Sequence, residues 1–130
     1  MNTIHLLFIV LFLHFFSDFN LQSGASLHEM KQRKWWKIQC DKCYVNFAPY
    51  RHDWLVALVI HSLVWSIVTF APILYMTKNA YALLLIVFVN TAVHSVIDHF
   101  KANKLCINLL VDQCLHLLQI ASTLILWVKS

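Results

Sequence analysis

Three pairs of residues repeat one spacing. His14 and Asp18, His94 and Asp98, and in reverse order Asp112 and His116 each stand four positions apart. On a helix, residues i and i+4 share a face, so each pair presents an imidazole and a carboxylate in one direction. His61 adds a fourth imidazole. The stripes continue through Gln22, four after Asp18, Asn90, four before His94, and Asn108, four before Asp112. Imidazole and carboxylate together suit zinc first, and iron or manganese as well. The seven groups His14, Asp18, His61, His94, Asp98, Asp112 and His116 exceed the four that one tetrahedral ion takes. One ion, or two sharing a bridging aspartate, would account for them. Such a centre lowers the pKa of bound water and supplies a nucleophile. Asp98 and Asp112 are then the candidates for catalytic acid–base work.

The elements that must carry these residues follow from composition. The chain has 130 residues, of which 60% are apolar and only 12% charged. A soluble domain needs roughly a quarter of its residues charged, so the polar side chains here cannot cover a water-facing surface. This excludes a disordered chain, a secreted disulfide scaffold and a nucleic-acid-binding domain. The apolar residues fall in four blocks, at about 3–21, 54–75, 80–100 and 105–128, each close to the ~20 residues that span a bilayer as helix. Lipid leaves bare backbone unsatisfied, which makes each block a helix. The predicted fold is therefore all-α: one domain, four transmembrane helices in a single bundle. Pro72 should bend or end the second helix. A cleavable leader is the competing reading of the first block, with Ser23-Gly24-Ala25-Ser26 as a weak cleavage site. The lack of a basic start, and His5, His14 and Asp18 within the run, argue against it.

Basic residues choose the orientation. Lys31, Arg33, Lys34, Lys37, Lys42 and Arg51 lie between the first two blocks, and Lys101 and Lys104 between the last two. Only Lys78 and Lys129 fall on the other side. The positive-inside rule then makes both basic loops cytoplasmic and both termini outside. At 1.5 Å per residue, Asp18 and Asp98 lie roughly 2–3 Å in from the cytoplasmic boundary, His14, His61, His94 and Asp112 about 8–10 Å, and His116 about 16 Å. Helices of alternating direction could have scattered these groups, yet they share one layer. Interhelical glue would explain one His–Asp pair. A proton or ion relay would explain several, but the outer halves offer little beyond Thr69, Gln119, Ser122 and Thr123. The matched depth favours a one-sided metal site. His5 and His99 fall off the ligand faces.

The long loop, about 22–53, holds Cys40-Asp-Lys-Cys43 with His28 and His52 at a distance. That is half of a Cys₂His₂ zinc signature, set against ordinary reduced cysteines. Cys106 and Cys114 read as small packing residues of the last helix. The bases and the Trp35–Trp36 pair predict contact with anionic headgroups, or with a protein partner.

The stripes resemble a known family. His14-Phe-Phe-Ser-Asp18-Phe-Asn-Leu-Gln22, His61, His94-Ser-Val-Ile-Asp98-His-Phe-Lys101 and Asp112-Gln113-Cys-Leu-His116 are similar to the polar pattern of the domain of unknown function 3307 family. These are small membrane proteins of bacteria and phages. The resemblance covers all four helices, excludes the cysteine loop, and implies a four-helix protein of a bacterial inner membrane without assigning an activity. It adds Lys101 and Gln113 to Gln22, Asn90 and Asn108 as residues that support the site or meet a substrate. A looser likeness is to the membrane-bound metal-dependent hydrolases. The expected function is a metal-dependent hydrolase acting on a membrane-associated substrate. A proton or metal-ion relay, and an interaction protein with a structural metal that works through its basic loop or as a homo-oligomer, are the alternatives.

Overall fold

The computed structural model describes residues 3–21 and 27–129. Gln22 and the Ser23–Ser26 segment lie outside the described residues. Among the described residues the chain is helical, without strands. Helix α1 is Thr3–Phe15, and a π-helical turn, Phe16–Leu21, continues it. The loop carries two helices, α2 (Leu27–Met30) and α3 (Arg33–Lys42), and a 3-10 turn, Ala48–Tyr50. Helix α4 is Asp53–Thr69 and α5 Ala71–Met76. Helices α6 (Ala80–Ala102) and α7 (Leu109–Lys129) complete the chain.

Three of these are long and apolar enough to cross a membrane: Ala48–Thr69, Ala80–Ala102 and Leu109–Lys129. The first apolar helix, Ile4–Asn20, is shorter. The burial pattern is inverted relative to a soluble protein. Phe8, Phe12, Leu84, Leu85, Phe88, Leu110, Leu118 and Leu126 all face outward, while His14, His61, His94, Asp98, Asp112 and His116 are buried. Apolar side chains outside and ionisable ones inside are what a lipid solvent selects. The chain is a membrane protein.

Each long helix buries one stripe at helical spacing. On α4 it is Leu58, His61, Ser62, Trp65, Ser66 and Thr69; on α6, Asn90, His94, Ile97 and Asp98; on α7, Asp112, His116, Gln119 and Ile120. Leu6, Val10, His14 and Ser17 form the stripe of the first helix. The small hydroxyl residues on α4 let backbones approach, as small residues do between membrane helices. Helix α4 is central, packing on α1, α2, α3 and α6, and α6 packs on α7. An apolar cluster of Leu6, Val10, Trp65, Phe70, Ile73 and Ile120 caps the polar layer at one end.

The second apolar block is not one helix to residue 75. It breaks at Phe70, because Pro72 has no N–H to offer the Val68 carbonyl and its ring crowds that group. Helix α6 starts under a true cap, the Asn79 side chain accepting from the backbone N–H of Tyr81 at 2.9 Å. Helix α3 ends with Tyr44 in the left-handed region (φ 55°), Val45 N–H donating to the Cys40 carbonyl at 2.9 Å. The last apolar block begins its helix at Leu109, four residues later than the hydropathy predicts, since the turn before it is made by Leu105 at φ 54°. Cys106 therefore precedes α7, and both it and Cys114 are exposed, so neither packs inside the bundle.

Candidate metal centre

Asp98 is the hub. Its side chain is 2% exposed, and four groups converge on its two oxygens. Oδ2 lies 2.5 Å from the Lys31 ammonium, 2.9 Å from His61 Nε2 and 3.6 Å from His94 Nε2. Oδ1 lies 3.4 Å from His116 Nε2. His116 Nε2 is in turn 3.5 Å from Asp112 Oδ1, and Asp18 Oδ1 is 3.8 Å from His61 Nε2. Three overlapping groupings could each hold an ion: Asp18, His61 and His94; His94, Asp98 and His116; Asp18, Asp112 and His116.

The fit of a metal can be tested on the ring nitrogens. His94 and His116 are fully buried, and neither nitrogen of either ring has a hydrogen-bond partner; Asp112 Oδ1 has none either. A buried polar atom without a partner is expensive. Ligands held 2.0–2.2 Å from a tetrahedral ion stand about 3.4 Å from one another. The 3.4, 3.5 and 3.6 Å separations around His116, Asp112, Asp98 and His94 are of that size. They are longer than good hydrogen bonds; His94, Asp98 and His116 form the grouping that fits one divalent ion, while Asp112 groups with Asp18 and His116 instead.

The predicted ligands do not all behave alike. His14 has no lone pair to spare. Its Nδ1 accepts from the Trp65 indole N–H at 3.0 Å, and an indole can only donate. His14 Nε2 then carries the proton and donates to Gln113 Oε1 at 3.2 Å. The Gln113 amide N–H donates onward to Asp18 Oδ2 (3.0 Å) and Asp112 Oδ2 (3.1 Å). His14 and Gln113 thus orient the two carboxylates, which is second-layer work of the kind metal sites need. His14 also lies outside the three ligand groupings.

Other sequence candidates are placed apart. Asn108 is exposed and caps α7, accepting from Val111 N–H at 2.9 Å. Asn90 sits a turn outward, where its Oδ1 accepts from Gln119 (2.9 Å) and Thr123 (3.1 Å). Lys101 reaches the site from its rim and pairs with Asp112 Oδ2 at 2.6 Å, its side chain 27% exposed. Ser17, one residue before Asp18, is fully buried. His99 stacks on Trp54 with ring centroids 5.4 Å apart.

The loop residues do not form a site of their own. Among the described residues, no grouping of three metal-capable side chains contains a cysteine. Burial and the neighbouring Asp41 push the Cys40 thiol up, away from the thiolate a metal needs. His28 is exposed, and partial desolvation, then the Lys31 ammonium and His61, lower its pKa below the ordinary histidine value. The indoles serve the loop itself, Trp35 donating to Glu29 (3.0 Å) and Trp36 to the Met30 carbonyl (2.7 Å). Replacing Cys40 and Cys43 by serine should therefore leave bound metal unchanged by elemental analysis; loss of an equivalent would place a ligand in the loop.

Two residues of the site were not legible as such. Trp65 stacks on His94 (centroids 4.1 Å, 23° between planes) and meets His14 edge-on (5.5 Å, 83°). It stands four after His61, so the stripe spacing itself was the signal. Lys31 is 3% exposed and inserted among the ligands, and as one base among six in a loop it carried no such signal.

No protein-family profile matches the chain, and neither do curated proteins or solved structures. What fold and site define is a helical membrane protein with a buried cluster of histidines and aspartates able to hold a metal ion.

Proposed function

We propose that this chain is a four-span inner-membrane protein of a bacterium or its phage, with both termini outside. Its cluster is a divalent metal centre, zinc before iron or manganese, that hydrolyses a membrane-associated phosphoester, ester or amide. The likeness to the domain of unknown function 3307 family supports the setting, and the positive-inside count supports the orientation. One observation carries the centre: the fully buried ring nitrogens of His94 and His116, without hydrogen-bond partners and spaced from Asp98 as ligands are.

A bound divalent ion supplies Lewis acidity and an activated water. The chain supplies the rest. Asp98 holds His94 and His116 in register. Asp112 is fixed through Oδ2 by Lys101 and Gln113, which leaves Oδ1 to take a proton. Lys101, partly exposed at the rim, is placed to receive an anionic group. The exposed bases Arg33, Lys34, Lys37 and Lys42 of α3 rest on anionic headgroups and keep the rim at the surface.

The test is elemental mass spectrometry on protein purified in mild detergent without chelator, beside His94→Ala and His116→Ala. About one to two equivalents in the wild type, falling at least tenfold in both variants, is the expected result. Metal-free wild type that stays monodisperse would end this reading.

A second reading has one observation in its favour. The polar line does not stop at the histidines: Gln119 donates to Asn90, Thr123 does the same, and Trp127 donates to Thr77 at 2.9 Å beside a 570 Å³ cleft. A proton or metal-ion relay would use that line. Flux into proteoliposomes that His94→Ala abolishes would favour it.

A further inference from the structure

The two sides of the Asp98 carboxylate are built differently. On one side stand His94, His116 and Asp112, with ring nitrogens and one carboxylate oxygen free of hydrogen bonds. On the other stand His61 and Asp18, and there a lysine has been inserted. Lys31 Nζ donates to Asp98 Oδ2 at 2.5 Å and contacts His61 Nε2 at 2.9 Å. His61 Nε2 also lies 2.9 Å from Asp98 Oδ2; with Nδ1 carrying the ring proton, the ammonium, which has three donors and no acceptor, donates to the Nε2 lone pair. An imidazole nitrogen has one lone pair. While Lys31 holds it, Nε2 cannot bind a metal.

We infer that the centre takes a single divalent ion, and that the Lys31 ammonium stands in place of a second, joined to the first through Asp98. The inference rests on the reading of the cluster as a metal centre, and it selects between the one-ion and two-ion forms that the ligand count leaves open.

Charge points the same way. Three carboxylates, Asp18, Asp98 and Asp112, face two ammonium groups, Lys31 and Lys101, leaving one negative charge in the cluster. One divalent ion converts this to a single positive charge. A second would raise it to three, in a helix bundle where uncompensated charge is costly.

Lys31 is also held from behind. Its carbonyl accepts from Asn103 Nδ2 at 3.0 Å, and Asn103 Oδ1 accepts from Arg33 N–H at 2.8 Å. The connection between α6 and α7 therefore clips the loop at Lys31, and α2 packs on α4. With its carbonyl held by Asn103 and its ammonium held by Asp98 and His61, Lys31 is a fixed part of the site. In two-metal hydrolases the second ion clamps an anionic oxygen of the substrate. Here the second position is filled by the chain's own buried ammonium, which leaves the anionic group of a substrate to Lys101 at the rim.

The experiment is a count. Full-length protein and Lys31→Ala are loaded with zinc in mild detergent, freed of excess by gel filtration, and assayed by elemental mass spectrometry, with Lys31→Arg as the charge-retaining control. The proposal predicts about one zinc per chain in the wild type and in Lys31→Arg, and about two in Lys31→Ala. About two in the wild type overturns it and leaves the metal centre standing. So does about one in a monodisperse Lys31→Ala. No zinc in the wild type overturns the metal centre and this assignment together. Should Lys31→Ala not remain monodisperse, the wild-type count alone decides: about one sustains the single-ion site, and about two refutes it.

Discussion

Asp98→Ala is expected to empty the centre and to destabilise the fold by about 3–5 kcal/mol, the range for removing one partner of a buried ion pair. The carboxylate serves two demands at once. It lies within 3.6 Å of His61, His94 and His116 alike, and it neutralises an ammonium that is 4% exposed. Removing it strands that ammonium in the bundle. The two demands separate in the double variant. Asp98→Ala combined with Lys31→Ala should regain much of the lost stability, because no unpaired charge remains, yet should bind no metal. Thermal unfolding in detergent, followed by tryptophan fluorescence, reads the first effect, and elemental analysis the second. A single variant as stable as the wild type would show that the Lys31–Asp98 contact does not support the fold.

Trp65→Ala should cost about as much, roughly 3–5 kcal/mol for the cavity alone. The indole is fully buried and joins the apolar cluster to the polar layer, touching Phe70 edge-on at 5.9 Å and lying flat on His94 at 4.1 Å. It also sets the protonation pattern of the relay behind the carboxylates. Without its N–H, His14 Nδ1 is a buried acceptor with no donor, and the imidazole is free to turn away from Gln113. Trp65→Phe isolates that second effect: most of the volume returns, and the remaining loss should be near 1–3 kcal/mol, the penalty of an unsatisfied buried acceptor. A phenylalanine variant indistinguishable from the wild type in unfolding would show that the Trp65–His14 bond is of no consequence.

The helical stripes were legible because lipid makes the rule simple: a polar side chain in an apolar run needs a partner, and i,i+4 spacing says which way it points. His94 stands 3.6 Å from Asp98 and His116 3.5 Å from Asp112 within their own helices, so local spacing was enough. The site's non-local parts were not readable. Lys31 reaches Asp98 across 67 positions, and its anchor Asn103 stands 72 away, so nothing near Lys31 announces its place. The same base in a loop reads as a topology signal. His14 was read as a ligand because its type and depth match the others; only the neighbouring indole, 51 residues on, takes up its lone pair. Pro72 announced a bend, but the break falls at Phe70, where the missing hydrogen bond to Val68 is felt.

The most direct test of the account is X-ray absorption at the zinc edge of the zinc-loaded, full-length protein. A His/Asp centre predicts a first shell of nitrogen and oxygen alone, at about 2.0–2.2 Å, with the outer-shell scattering of two imidazoles. It also predicts loss of that signature in His94→Ala. A shell containing sulfur at about 2.3 Å would move the metal to the cysteines of the loop and contradict the account.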